Sequence, residues 1–285
     1  VSVQSVFWRR LAYLGARYGP EPWLRLSPPF FGIAIAAALP KLRRTVRHNL
    51  RAVYGRRSRI TEELDVARTF ASYAGCLAES LASERPRVKR ARRRVLDPKL
   101  YEILNREGGL ILATAHVGAW DAAAPLLTED LSRPVMIVMR AEADPEARRV
   151  HDGVRERSGV RVVHVGGHPL DALPVLHHLR DGGVVAVQLD RVPPGARSIE
   201  VPLFAAPFRV PLGPFALSGL AQVPILPLFV RRVGYLDYEL SHGDLIQLPP
   251  RPSAEELERA ARRAALEIER FVRAHPTQWF HFARS

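Results

Sequence analysis

The segment GLILATAHVGAWDAAAPLL (Gly109–Leu127) sets an imidazole, His116, and a carboxylate, Asp121, just beyond an apolar run, with Gly118 and Trp120 between them. A neutral imidazole takes a proton from a hydroxyl at cellular pH, because its ordinary pKa is roughly 6.5. A carboxylate on the other ring nitrogen fixes the tautomer and stabilises the imidazolium that forms. On one continuous helix, side chains at this spacing would point about 140° apart. They meet instead if His116 closes a strand, Asp121 opens the next helix, and VGAW folds between them, with Gly118 supplying the backbone freedom. The carboxyl ends of strands are where open α/β sheets bind ligands. No protein nucleophile accompanies the pair: FALSGL has Ala216 and Leu220 around Ser218, where a nucleophile elbow carries glycines. The substrate's own hydroxyl is then the expected attacker, which points to direct acyl transfer.

The elements around this segment support that placement. Beyond Gly108, short apolar runs alternate with helical stretches, and strands are expected at Leu110–Ala115, Val135–Met139, Val160–Val165, Val184–Leu189 and Ile225–Val230. Such alternation predicts an α/β fold with a mostly parallel central sheet flanked by helices. A capping box, Ser253 to Glu256, opens a final helix with apolar positions Leu257, Ala261, Ala264, Ile268 and Phe271. Residues 1–100 read as a helical, membrane-facing extension and 101–285 as the core, the whole forming one structural domain. Within the extension, Thr61 is the expected N-cap of a helix carrying Leu64, Ala67, Phe70, Ala74, Leu77 and Leu81 on its apolar face.

Composition sets the setting. Lys and Arg total 42 against 29 Asp and Glu, a net charge of +13 over 285 residues. Such a surface attracts anionic membranes, acidic carrier proteins or nucleic acid. The single cysteine, Cys76, excludes an intrachain disulfide and a cysteine-based zinc site. The first ten residues lack the long apolar stretch of a signal peptide. Leu26–Pro40 is uncharged but too short to span a bilayer, and Val210–Val230 carries Pro211, Pro214, Pro224 and Pro227, which suit loop, short helix and strand. Trp8, Trp23, Phe30 and Phe31 lie among Arg9, Arg10, Arg17 and Arg25. That mixture suits the headgroup level of a membrane, or packing on the main domain.

HVGAWD is similar to the His-x4-Asp/Glu box of glycerolipid acyltransferases. Its Gly and Trp resemble the bacterial branch that holds the lipid A late acyltransferases and the mycobacterial phosphatidylinositol mannoside acyltransferases. RRTVRHNLRAVYG (Arg43–Gly55), VQLDR with SIEVPLFAAPFRVPLGPFAL, VPILPLFV (Val223–Val230) and HPTQWFHF (His275–Phe282) resemble further blocks of that branch in the same order. The usual Phe-Phe-Gly is replaced by Phe204-Ala205-Ala206.

The resemblance implies His116 as general base, Asp121 as its orienting partner, and Asp190 and Arg191 at the end of the fourth strand. Arg191 would hold a phosphate or the oxyanion, and Glu200 would assist with charge or bind the acceptor. Gly118 and Trp120 join the substrate-binding or oxyanion candidates. A strand-capping ion pair is the alternative for Asp190 and Arg191, and a structural role for Glu200. The implied substrates are acyl carrier protein or acyl-CoA as donor and a lipid or glycolipid hydroxyl, such as that of a lipid A precursor, as acceptor. The chain is expected peripherally on the cytoplasmic face of the bacterial inner membrane, with no cofactor, no metal and no nucleic acid. The acyl groove is expected from the Phe204–Leu220 region.

Three readings compete. His164, His168, His177 and His178 invite a metal site but lack a carboxylate at a familiar spacing, so they read as ordinary loop and helix residues. A non-catalytic basic protein, binding nucleic acid or membrane through charge and the run Arg85–Val95, leaves His116 and Asp121 without purpose. An acyl-ester hydrolase would use the same pair on water.

Overall fold

The computed structural model describes residues 6–82, 85, 91–121, 133–139, 152–153, 159–165 and 169–283, with backbone alone for 6–11. Four helices come first: α1 (Val6–Tyr18), α2 (Glu21–Ala38), α3 (Pro40–Tyr54) and α4 (Arg59–Leu81). Next come β1 (Arg92–Val95), α5 (Lys99–Leu104), β2 (Leu110–Thr114), β3 (Val135–Met139), β4 (Val160–His164), α6 (Leu173–Arg180) and β5 (Val184–Gln188). The remainder is β6 (Ser198–Leu203), β7 (Ala206–Pro211), α7 (Gly213–Ala221), β8 (Ile225–Gly234), β9 (Asp237–His242) and α8 (Ala254–Ala274). The described strands form a seven-stranded sheet ordered β1-β9-β8-β2-β5-β3-β4 and a separate β6–β7 ribbon. Strands β8, β2, β5, β3 and β4 run parallel, β9 returns antiparallel to β8, and β1 lies parallel to β9.

Strands β8, β2, β5 and β3 are nearly continuous in apolar residues because both sheet faces are covered there, while β4 at the edge carries exposed Arg161. Ile111, Ala113, Val185, Ile225 and Phe229 face one core with α8. There Ala260, Ala261, Ala264 and Ala265 let the α8 backbone approach closely, and Ser253 and Glu256 form the expected capping box. Leu110, Leu112, Val184, Leu226 and Leu228 face the opposite core with Leu100 and Leu104 of α5.

The helical part joins this sheet through buried charge. The N-cap of α4 is Ser58, whose hydroxyl accepts from the Thr61 amide at 3.2 Å, so the helix begins before the expected Thr61. Phe70 and Leu81 of the expected face are buried, but Leu64 is exposed, while Glu62, Asp65 and Glu79 are buried. Arginines from outside the helix explain this. Arg51 donates to Glu62, Arg57 pairs with Asp65, and Arg232 of β8 donates to Glu79 Oε1 at 2.7 and 2.9 Å. Tyr238 of β9 donates to Glu79 Oε2 at 2.5 Å. A carboxylate buried with such partners avoids the penalty of an isolated charge.

Helix α2 crosses α4 at Gly32, where a Cβ would lie 2.3 Å from the Phe70 carbonyl oxygen. Among the described residues no single helix is long and apolar enough to cross a membrane; α2 and α3 together pass that test as a pair bent by 103°. Leu26 belongs to α2, which continues through Pro28 and Pro29. The Val210–Val230 stretch holds the expected short helix, α7, and strand, β8, but opens as the end of β7 where a loop was expected.

Candidate functional site

Strand β2 ends at Thr114 and the chain bends through Ala115 to Ala119 before a helix begins at Trp120. Gly118 makes the bend possible, with φ of 52° and a virtual Cβ only 1.9 Å from the Val230 carbonyl oxygen, where no larger residue fits. The bend is held from both sides. Ala119 N donates to Val230 O at 2.8 Å, Gly118 N to Gln278 O at 2.8 Å, and Phe280 N to His116 O at 2.7 Å. The Gln278–Phe280 backbone therefore runs beside the HVGAW loop as an extra, irregular strand. Asn49, in the Arg43–Gly55 segment, secures the residues just beyond it by donating to His281 O at 2.6 Å and Ala283 O at 3.0 Å.

The carboxylate on the imidazole is that of Asp190, in place of the expected Asp121. His116 Nδ1 lies 2.7 Å from Asp190 Oδ1, and the same oxygen accepts the His116 backbone N–H at 3.0 Å. Strand register is the reason. Thr114 pairs with Gln188 in the parallel β2–β5 ladder, so continuing both strands by two residues brings His116 opposite Asp190. Asp121 opens the following helix as expected, but its Oδ2 accepts from Ser80 Oγ of α4 at 3.0 Å.

Asp190 is 1% exposed. Burial opposes its charge, yet the His116 imidazole, by charge and hydrogen bond, holds it well below the usual carboxylate range, with His281 adding to the effect. Oδ2 faces Trp279 Nε1 at 3.4 Å and His281 Nδ1 at 3.6 Å. With Nδ1 directed at Asp190, the lone pair for proton abstraction belongs to Nε2. The His116 side chain retains 18% exposure, enough for a substrate to reach it.

Of the other expected residues, Trp120 stays beside His116, while Arg191 and Glu200 bond or lie elsewhere. Trp120 meets the His116 ring edge-on at 5.8 Å between centroids. Arg191 is exposed, and its Nη2 donates to Phe280 O at 2.9 Å, which ties β5 to the segment beside the HVGAW loop. Glu200 is exposed on the β6–β7 ribbon, opposite Arg209. Phe204, Phe208 and Phe215 are buried in the α8 core, so they do not line an open groove. An apolar pocket lies instead on the other face of the sheet. Leu112, Val135, Ile137, Ala186, Leu228 and Val230 line it, Thr114, Trp120 and Gln188 supply its polar atoms, and it encloses about 570 Å³ including its mouth. Trp120 belongs to both the pocket wall and the His116 environment.

Among the described residues no cluster of His, Cys, Asp and Glu suits a metal ion. His164 pairs with Asp152, and His178 sits against the Pro134 and Val184 carbonyls. His168 lies outside the described residues. The basic run is also accounted for in part: Arg92 and Arg94 of β1 pair with Asp237 and Glu239 of β9, while 86–90 lie outside the described residues. Asn49, Gln278, Trp279, His281 and Gln188 had no assigned role in the sequence; only the likeness of HPTQWFHF, RRTVRHNLRAVYG and VQLDR to family blocks drew attention to them.

Comparison with known proteins gives one match across the chain: the sequence model of the bacterial lipid A biosynthesis acyltransferase family covers residues 5–285. No curated protein matches. Among solved structures, the 1-acyl-sn-glycerophosphate acyltransferase PlsC from Thermotoga maritima is 13% identical, with a TM-score of 0.39, covering 88% of this chain and 96% of its own.

Proposed function

Because the chain belongs to the bacterial lipid A biosynthesis acyltransferase family, we propose that it moves a fatty acyl group from acyl carrier protein or acyl-CoA to a hydroxyl of a lipid or glycolipid, such as a lipid A precursor. The observation that carries this reading is the 2.7 Å His116–Asp190 pair, partly open to solvent at the imidazole and sharing Trp120 with an apolar pocket. His116 Nε2 takes the acceptor's hydroxyl proton as the oxygen bonds to the thioester carbon. The tetrahedral intermediate then expels the thiolate, which receives the proton back from the imidazolium. The products are an ester and a free thiol, with Asp190 ionised throughout.

We also assign the protein to the cytoplasmic face of the bacterial inner membrane as a peripheral protein. Exposed Tyr18, Trp23, Leu26, Phe30, Phe31 and Ile33 on α1 and α2 supply apolar contact, and the net charge of +13 supplies attraction to anionic lipid. Flotation with anionic and neutral vesicles tests this: a Phe30→Ser, Phe31→Ser double variant should float with neither.

The test of function is transfer of label from palmitoyl-acyl carrier protein or palmitoyl-CoA to a bacterial lipid extract, with mass spectrometry of the product. One lipid class should gain the mass of one acyl chain, and His116→Ala should abolish the gain while remaining folded. Free fatty acid as the sole product would instead identify a hydrolase.

A further inference from the structure

The pocket contains polar groups that the proton-transfer pair leaves unused, Gln188 among them. Gln188, the last residue of β5, lines it beside Thr114, its register partner on β2. Its Nε2 is fully buried with no hydrogen-bond partner. A buried amide N–H left unpaired is costly and uncommon, and such groups in native proteins ordinarily serve a ligand or water. Among the described residues Thr114 and Trp120 are the other polar side chains of the wall, and Leu112, Ile137, Ala186 and Leu228 give the amide nothing to bond.

Position narrows the ligand. Gln188 ends β5 two residues before Asp190, just as its register partner Thr114 ends β2 two residues before His116. The glutamine therefore stands next to the His116–Asp190 pair in the register and also lines the apolar pocket. An acyl chain whose tail fills the depth and whose reacting carbon meets a hydroxyl held by His116 must set its carbonyl at this junction.

Resting on the acyl-transfer reading above, we propose that Gln188 Nε2 donates a hydrogen bond to the thioester carbonyl oxygen, polarising it and stabilising the oxyanion. When the acceptor oxygen bonds to the carbon, the carbonyl π pair moves onto the carbonyl oxygen, where Gln188 holds it. When the pair returns, the carbon–sulfur bond breaks and the thiolate leaves with the proton from His116. Gln188 gains and loses no proton. A neutral amide suits this role, because beside a fully buried Asp190 a cation would be drawn to the carboxylate.

Two nonreactive probes test the assignment without turnover: the ketone analogue of palmitoyl-CoA, with methylene for sulfur and the carbonyl kept, and the thioether, with the carbonyl removed. The unaltered protein should bind the ketone about five- to tenfold more tightly than the thioether, the value of one hydrogen bond. In Gln188→Leu that preference should vanish, kcat should fall roughly 10²- to 10³-fold, and the melting temperature of the free protein should hold or rise. No preference in the unaltered protein, no binding of either probe, an unchanged preference in the variant, or a melting temperature lowered by several degrees overturns the proposal. His116→Ala separates the two readings: it should keep the ketone preference while losing transfer. Transfer that survives His116→Ala refutes the general base and leaves Gln188 standing.

Discussion

Replacing Asp190 by Asn tests which carboxylate directs the imidazole. Asp190 Oδ1 accepts two bonds from His116, one from the ring at 2.7 Å and one from the backbone at 3.0 Å. An asparagine has one acceptor oxygen and one NH2. If the oxygen keeps the backbone bond and Nδ1, the NH2 faces the Trp279 and His281 donors. If the amide turns over, its NH2 donates to Nδ1 and moves the ring proton to Nε2, where it blocks proton abstraction. The loss of a correctly oriented tautomer in such a pair is worth about 10⁴ in kcat. Asp121→Asn should weaken the hydrogen bond from Ser80, 3.0 Å long and partly exposed, and cost no more than about tenfold. Label transfer from palmitoyl-acyl carrier protein to bacterial lipid, measured on both variants after circular dichroism confirms folding, decides between them. If Asp121→Asn is the more damaging, or if Asp190→Asn stays within tenfold of the original rate, the assignment of Asp190 is wrong.

Further perturbations probe the frame. Glu79→Ala removes the shared partner of Arg232 and Tyr238 and should lower stability by about 3–5 kcal/mol in urea unfolding; a loss under about 1 kcal/mol would mean water replaces the carboxylate. Ala205 holds a φ of 61° in the β6–β7 turn, a left-handed conformation that strains an L-residue, so Ala205→Gly should gain about 1 kcal/mol. The pKa of His275 is depressed by burial and then by the Arg231 guanidinium. The unfolded chain therefore binds that proton more tightly, and stability contributed by the neutral ring is lost as pH falls through roughly 6.5. His275→Gln should flatten the fall in urea midpoint between pH 8 and pH 5; an unchanged slope would assign it to other groups.

The buried strands were legible because covered parallel strands leave uninterrupted apolar runs, and those at Leu110 and Val184 are also flanked by Gly pairs. Strands β1, β6, β7 and β9 were not. The arginines of RRRV in β1 pair with acids on β9, far along the chain, and the β6–β7 ribbon alternates exposed and buried residues around charged Glu200 and Arg209. The same limit applied at the site. His116, Gly118 and the helix opening at Asp121 can be read from local spacing. The partnership with Asp190 depends on β2–β5 register, which separate stretches of sequence do not state. The buried face of α4 depended on where Arg51, Arg57 and Arg232 reach it.

The backbone from Gln278 to Phe280 holds the loop bearing His116, and Arg191 and Asn49 hold that backbone in turn. A nascent polypeptide halted before Gln278 would already contain every described strand of the large sheet, with Asp190 and Val230 to hold the His116 loop from one side, and lack the backbone that holds it from the other. Competence for chemistry thus arrives late in synthesis, and a protease clipping after Arg273 would silence the molecule while sparing most of its architecture.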